Sequence, residues 1–397
     1  MKTNIAIIGG GVIGSFIAYF LQQSGRADDI VVIEPDASYE LAATTKGAGG
    51  VRQLFSLPEN IEMSRFSVDF YRHFAERLEM PEATIDWEQR GYLFVVGESG
   101  AKQLETNANT QAAKGAVVEL LQPSELKSRF PSLGIADVAL ACLSPEDGTL
   151  TTTAVLTHLR HKNESLNIPY LDSHVTRFSQ TANQITAAHL ANGETIFADV
   201  FINAAGAWCS DIANMVGMAL PVEPMCRVKH FWTVPQPIEP LPLVKDESGM
   251  FFRPQANGFG KAVGFVGGRP SFEIPAGFYQ QNQTVQDYFS GYFKRTVQPL
   301  ISRRLPAFAN AEEQTSWIGH YAQNRLDGNM ILGAWTTGAP NFYVACGFSG
   351  HGIMHAPAVG RAMAELVMDG RFSTIDLSRL SYERVVEERP LPEQGII

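Results

Sequence analysis

Hydrophobic positions change period within the first two dozen residues. Ile5 to Ile8 form an unbroken apolar run, the pattern of a short buried strand. After Gly9-Gly10-Gly11, the apolar residues Phe16, Ile17, Phe20 and Leu21 recur at helical spacing, and Ile30 to Ile33 predicts a second strand. Further along, "ENIEMSRFSVDFYRHFAERLEM" carries the apolar stripe of an amphipathic helix, "GYLFVVG" reads as a strand and "AKQLETNANTQAAKG" as a polar helix. "ELLQPSELKSRFPSL" predicts a helix-containing connection ended by Pro131, and "TTTAVLTHLRHKNESL" a helix capped by Thr151 or Thr152. "ADVFINAAGAWCSDIANMVG" reads as buried strand, Gly turn and helix.

From about Pro221 the texture changes. Short strands such as "HFWTVP", "GMFFRPQ" and "KAVGFVGG" lie between prolines and aromatics, which predicts a mostly antiparallel sheet that forms a wall over a pocket. "TVQDYFSGYFKRTVQPL" predicts a helix, and "GNMILGAW" and "NFYVACGF" return to strands. "SGHGIMHAPAVGRAMAELVMDG" reads as a Gly-rich turn and a helix whose first turn holds Pro357. No fixed-period repeat or low-complexity linker interrupts this order.

Strand, glycines and helix in that sequence suit a dinucleotide. Gly9 permits a tight turn, Gly11 lets backbone approach a pyrophosphate without a Cβ between them, and Gly14 lets helix and strand pack closely. The free N–H groups at the helix start, with Val12 and Ile13 among them, face the phosphates. Glu34, followed by Pro35, ends the second strand twenty residues after Gly14, the offset of an acid that binds ribose hydroxyls. A glycine turn closing an ordinary βαβ unit has the same glycines; the second strand and Glu34 in register favour the nucleotide.

Composition then narrows the classes. A chain of 397 residues, 45% apolar, is long enough for two or three domains with sizeable cores. With 31 basic against 41 acidic residues, net −10, and no Lys/Arg-rich run, nucleic acid is disfavoured as a partner. Cys142, Cys209, Cys226 and Cys346 show no C-x-x-C spacing, so reduced thiols are expected rather than disulfides or a metal site. The first strand begins at the fifth residue, leaving no room for a signal peptide, and four glycines break the one long apolar run. A cytoplasmic protein without a transmembrane segment is the expectation.

Four features in order, "GGGVIG" with Glu34, "GGVRQLFSLPEN", "NAAGAW" and "GFSGHGIMHAPAVG", resemble the D-amino-acid oxidase family of FAD-dependent oxidoreductases over nearly the whole chain, closest to its sarcosine oxidase and glycine oxidase branch. The resemblance implies an α/β fold, α+β overall, in which a Rossmann-like FAD-binding domain is interleaved with a substrate domain on a mostly antiparallel sheet. Residues 1–85, 145–220 and 320–397 would bind FAD; residues 86–144 and 221–319 would hold substrate. A second Gly-rich strand-to-helix turn near the C-terminus is an independent hint of flavin, because a nicotinamide enzyme usually keeps such signals in contiguous βαβ repeats.

The resemblance also assigns residues. Gly9, Gly11 and Gly14 would hold the pyrophosphate and Glu34 the adenosine ribose; Thr44, Thr45, Lys46 and Gly49 match a segment running along the cofactor. Val175 matches a position whose backbone meets the adenine and is equally a core strand residue; Ala205, Gly206 and Trp208 match a turn beside the cofactor, with simple core packing as the other reading of Trp208. Gly347, Gly350 and Gly352 bare backbone N–H groups at a helix start, where with Ile353 and Met354 they can stabilise negative charge on a reduced flavin. His351 is either a catalytic base or a residue that orients this turn; the resemblance favours the second, since the family generally transfers hydride without a histidine base.

Arg52 matches the branch's arginine for the substrate carboxylate, its alternative being a surface arginine paired with an acid such as Glu59; Arg253 is the runner-up anchor. Tyr321 sits where the family lines flavin or substrate, and Asp327 is read as structural. Three departures matter: Met354 replaces a lysine of the branch, Gly319 stands near its flavin-linking cysteine so FAD is expected to be non-covalent unless His320 forms a link, and the lysine associated with oxygen activation has only Lys261 as a nearby candidate. The expected reaction is oxidation of the C–N bond of an amino acid or secondary amine by hydride transfer to flavin N5, giving an imine that hydrolyses. Oxygen or another acceptor would take the electrons, leaving oxidase and dehydrogenase both open; a flavin-carrying assembly or regulatory protein of the same family is the alternative.

Overall fold

In the computed structural model, which describes residues 1–255 and 262–395, two sheets of eight strands share the cavity described below. The first has a parallel centre: Tyr170–Leu171, Ile30–Ile33, Lys2–Ile8, Thr195–Asn203 and Ala339–Cys346 run side by side in that order. Ile331–Trp335 adds an antiparallel edge, and the hairpin Val175–Thr181/Gln184–Leu190 extends Thr195–Asn203. The central strands are apolar on both faces because both are covered, one by Val12–Gln23 and Gly352–Asp369 packing together, the other by the hairpin and the short helix Cys209–Asn214. That is the Rossmann-like arrangement, and the glycine-rich turns emerge at the carboxyl ends of its strands, where such sheets bind ligands.

The second sheet runs in the order Glu312–Asn324, Val222–Ile238, Ala262–Gly268, Phe251–Pro254, Leu243–Asp246, Tyr92–Val96, Leu140–Ser144, Glu119–Leu121. All neighbours are antiparallel except Leu243–Asp246 beside Tyr92–Val96. Alternation divides its faces. Leu93, Val95, Cys226, Val228, Val244, Phe252 and Phe265 form one core with Phe293, Val297 and Ile301 of the covering helices, while Tyr92, Arg227, Lys245, Phe251 and Tyr321 face the cavity. Val222–Ile238 tolerates Pro224, Pro235 and Pro237 because its two-sided pairing is confined to His230–Thr233; before it only Glu312–Asn324 pairs, and after it pairing resumes at Ile238 on one side alone.

Three local expectations change. The predicted helix over "TVQDYFSGYFKRTVQPL" is broken: Gln281–Asp287 stops before Gly291, which has φ +64°, and the chain resumes through a wide turn at Phe293–Val297 into Gln298–Arg304. Thr151 precedes the helix Thr152–Ser165 as expected, but its hydroxyl goes to Asp86 (2.8 Å) rather than capping the helix. Pro357 lies in the second turn of Gly352–Asp369, not the first. It removes the N–H that would bond the Ile353 carbonyl, and Tyr71 Oη donates to that carbonyl at 2.8 Å instead. Among the described residues no helix is long and apolar enough to cross a membrane, and the four cysteines are free and buried.

Candidate functional site

One cavity of about 930 Å³ runs from the first glycine turn to the face of the second sheet. At its first end the strand Lys2–Ile8 delivers Gly9 with φ +102°, and its N–H bonds the Ile33 carbonyl at 2.9 Å. A Cβ on Gly9 would sit 2.5 Å from the Ala204 carbonyl oxygen, and one on Gly14 1.9 Å from the Gly9 oxygen, so these two glycines are required by the chain itself. Gly11 differs: its φ is −63°, acceptable to any residue, and an added Cβ would meet only Thr44 Oγ1, at 3.7 Å. Its missing side chain leaves room for something outside the protein, in front of the helix Val12–Gln23, although of the first-turn amides expected to be free that of Val12 is taken by Thr44.

Glu34 serves this turn directly. Its carboxylate accepts the Gly10 N–H at 2.8 Å and the Asp36 N–H at 3.0 Å, while burial raises its pKa against those bonds. Thr44 Oγ1 accepts the Val12 N–H at 3.3 Å. Pro35, Gly49, Val175, Ala205, Gly206 and Trp208 continue the wall, with Trp208 stacked on Phe278, centroids 4.7 Å apart. Gly206, with φ +54°, has nothing within 4 Å of an added Cβ. A second turn enters farther along, where Ser349 (φ +49°) and Gly350 (φ +96°) lead into Gly352–Asp369 and set Gly352, Ile353 and Met354 on the wall. A Cβ on Gly350 would strike the Tyr321 ring at 2.5 Å.

The other end is cationic. Arg52 is 1% exposed, with its guanidinium 4.5 Å from the Phe55 ring centre and 5.1 Å from that of Phe94, and Nη2 is 3.5 Å from His351 Nε2. Glu59, its possible surface partner, instead pairs with Arg379 at 2.8 Å. Burial first, and then the Arg52 charge, hold the His351 pKa well below the ordinary imidazole range. Lys245 reaches the same wall, and burial together with Arg52 holds its amine far below the usual lysine range. Asp147, fully buried, accepts the Gln53 backbone N–H and Nε2, both at 2.9 Å, and is pushed up to about 7 by burial.

Some expected site residues stand off the wall. Gly14 and Gly347 pack within the protein, and Thr45 turns its hydroxyl to the Tyr39 and Ala42 carbonyls. Lys46 lies against Gly319, with its carbonyl bonded by Trp317 Nε1 at 3.3 Å. Arg253 Nε donates to the Ala48 carbonyl at 2.6 Å, so it braces the loop that forms the wall. Asp327 forms a fully buried ion pair with Arg384 at 2.9 Å, the structural role expected of it. Lys261 lies outside the described residues. The sequence reading missed Tyr92, Arg227 and Lys245, each of which lines the cavity; strand alternation was the available signal, but it needs a register that sequence alone leaves open.

The shape fits an FAD. The volume is at the upper end of the range for small-molecule sites, about 300–1,000 Å³, two helix starts open on it, and Gly11 leaves a cradle that a Cβ would fill. Comparison with known proteins agrees. The family model described as "FAD dependent oxidoreductase" matches residues 4–366. The Xenopus laevis "FAD-dependent oxidoreductase domain-containing protein 1" is 35% identical over all of this chain and 85% of its own length. Among solved structures, L-proline dehydrogenase from P. horikoshii superposes with a TM-score of 0.81 at 27% identity, covering 98% of this chain and 99% of its own. Glycine oxidase from Geobacillus kaustophilus gives 0.80 at 22% identity over 96% and 98%.

Proposed function

The chain belongs to the DAO family of FAD-dependent oxidoreductases, and from that premise we propose that it oxidises the C–N bond of an amino acid or N-substituted amino acid to an imine, which water then hydrolyses. The first sheet and its two glycine turns hold the cofactor, and the inward face of the second sheet holds substrate. The observation that carries this reading is the meeting, in one cavity, of a glycine-rich strand-to-helix turn with a buried cation, Arg52, and a desolvated amine, Lys245.

A bound FAD supplies the acceptor for the hydride that leaves the carbon next to nitrogen. Arg52 fixes the substrate carboxylate, with Phe55 and Phe94 keeping its guanidinium in place. Transfer needs a nitrogen lone pair, so a substrate ammonium must lose a proton first. Lys245 Nζ, on the cavity wall with its pKa held far below the usual lysine range by burial and by Arg52, takes that proton. His351 accepts from Arg52 at Nε2 and starts the helix Gly352–Asp369, which makes it a positioning residue rather than the base. The face of the second sheet excludes water from the reacting carbon.

FAD is held without a covalent link. None of the four cysteines lines the cavity, Gly319 packs on Lys46, and His320 Nε2 is occupied by the Tyr279 N–H at 3.0 Å. Loss of the flavin's visible absorbance when an amine is added without oxygen tests the reading.

A further inference from the structure

Arg227 is left without a task by this chemistry. It is 4% exposed and reaches the cavity from Val222–Ile238. Nη1 donates to the carbonyls of Cys226 (3.0 Å) and Ser271 (2.8 Å), and Nη2 to Gln323 Oε1 (3.3 Å). All three acceptors are neutral. Nε is buried with no hydrogen-bond partner, and among the described residues no carboxylate comes within ion-pair distance of the group. Phe272 and Tyr321 flank it, with ring centres at 4.4 and 5.4 Å. A guanidinium keeps its charge in proteins, and an unneutralised buried charge is strongly unfavourable.

Arg52 is in the same condition. Its Nε is buried and unpartnered, its polar contacts are His351 and the Tyr92 hydroxyl, and among the described residues it has no ion pair, the buried Asp147 acting on it only at longer range. The two cations line the same cavity. Arg52 touches His351, and Arg227 stands against the Tyr321 ring, 5.4 Å from its centre. A single carboxylate at Arg52 leaves the second charge uncompensated.

We propose that the substrate is an amino acid with two carboxylates, the one next to the amine held by Arg52 and the distal one by Arg227. This rests on the amine-oxidation reading for the identity of the substrate, but not for the presence of two anion sites. Nη1 spends both its hydrogens on the Cys226 and Ser271 carbonyls, so the outer Nη2 N–H not given to Gln323 is the donor left for a carboxylate, with rings rather than acids beside it.

The test uses the FAD-loaded protein and unreactive probes, titrated by calorimetry and by the change in flavin absorbance. Succinate, glutarate and adipate are compared with butyrate, valerate and hexanoate. The expected result is that the best dicarboxylate binds at least about tenfold more tightly than any monocarboxylate, in line with one added charge-assisted contact. Arg227→Gln should bring the two classes together while leaving monocarboxylates unchanged; equal affinity in the parent protein overturns the proposal, and that comparison decides even if the variant does not fold. Anaerobic addition of N-methylaspartate, N-methylglutamate and N-methylalanine separates the two claims. Bleaching by N-methylalanine as readily as by the diacids sinks the dianion proposal and spares the amine reading; tight dicarboxylate binding without bleaching by any amine does the reverse.

Discussion

Arg52 Nη2 lies 3.5 Å from His351 Nε2 at the bottom of the cationic end of the cavity. A guanidinium only donates, so the contact assigns the accepting lone pair to Nε2 and the imidazole proton to Nδ1. The histidine's basic nitrogen is therefore turned to the arginine and not to a substrate. Arg52→Ala is expected to keep FAD and weaken carboxylate ligands by about 2 kcal/mol, roughly 30-fold. His351→Gln, which still offers an acceptor, should keep kcat within about tenfold of the parent. A loss of several orders of magnitude in kcat, with the pH profile altered, would return His351 to the role of base.

The glycines of the first turn make a sharper contrast. Gly14→Ala forces a Cβ to 1.9 Å from the Gly9 oxygen and should destabilise the FAD-free protein by about 1–3 kcal/mol or more. Gly11→Ala meets no such obstacle in the protein, and at its φ of −63° the change should leave the melting temperature of the FAD-free protein unchanged or slightly raised. FAD affinity of that variant should nevertheless fall by about tenfold or more. Parent-like FAD binding by Gly11→Ala would remove the phosphate cradle from that position.

The two turns were readable because their chemistry is local. Gly9, Gly11, Gly14 and Glu34 lie in one contiguous βαβ stretch, and the glycines near residue 350 announce a second strand-to-helix passage. Arg227 and Lys245 were not readable, because each is one position in a strand whose inward face is set by partners far away: Arg227 opposite Gly319, Lys245 beside Phe94. Asp147 escaped for a similar reason, since its partner Gln53 is ninety-four residues distant. The broken helix after Gln281 shows the opposite failure, a good helical period cut by a left-handed glycine at 291.

Lys245 carries two linked expectations. Its pKa is lowered in the folded protein, so below the ordinary lysine range the unfolded chain binds more protons and stability falls as pH drops from about 10.4. Lys245→Met should thus raise the melting temperature at pH 7, with the gain shrinking toward pH 11. The same variant should lower kcat and erase the acid limb of its pH profile. Calorimetric melts and steady-state kinetics across pH check both; a parent-like acid limb would dismiss Lys245 as the proton acceptor.

His355, buried beside Phe55, is expected to weaken the fold in acid. Burial holds its pKa at about 3, below the ordinary 6.5, so between those values the unfolded chain binds the extra proton and stability falls as pH decreases. Melting temperatures of His355→Leu should lose less between pH 6.5 and 4 than those of the parent; identical slopes would contradict the assignment.

The most direct measurement is anaerobic mixing of the FAD-loaded protein with a panel of α-amino and N-alkyl amino acids while the visible flavin spectrum is followed. Bleaching by at least one member, with an aldehyde or keto acid recovered after the imine hydrolyses, is the expected result. A protein that refuses FAD, or one that binds it and keeps its full colour with every amine, contradicts the account.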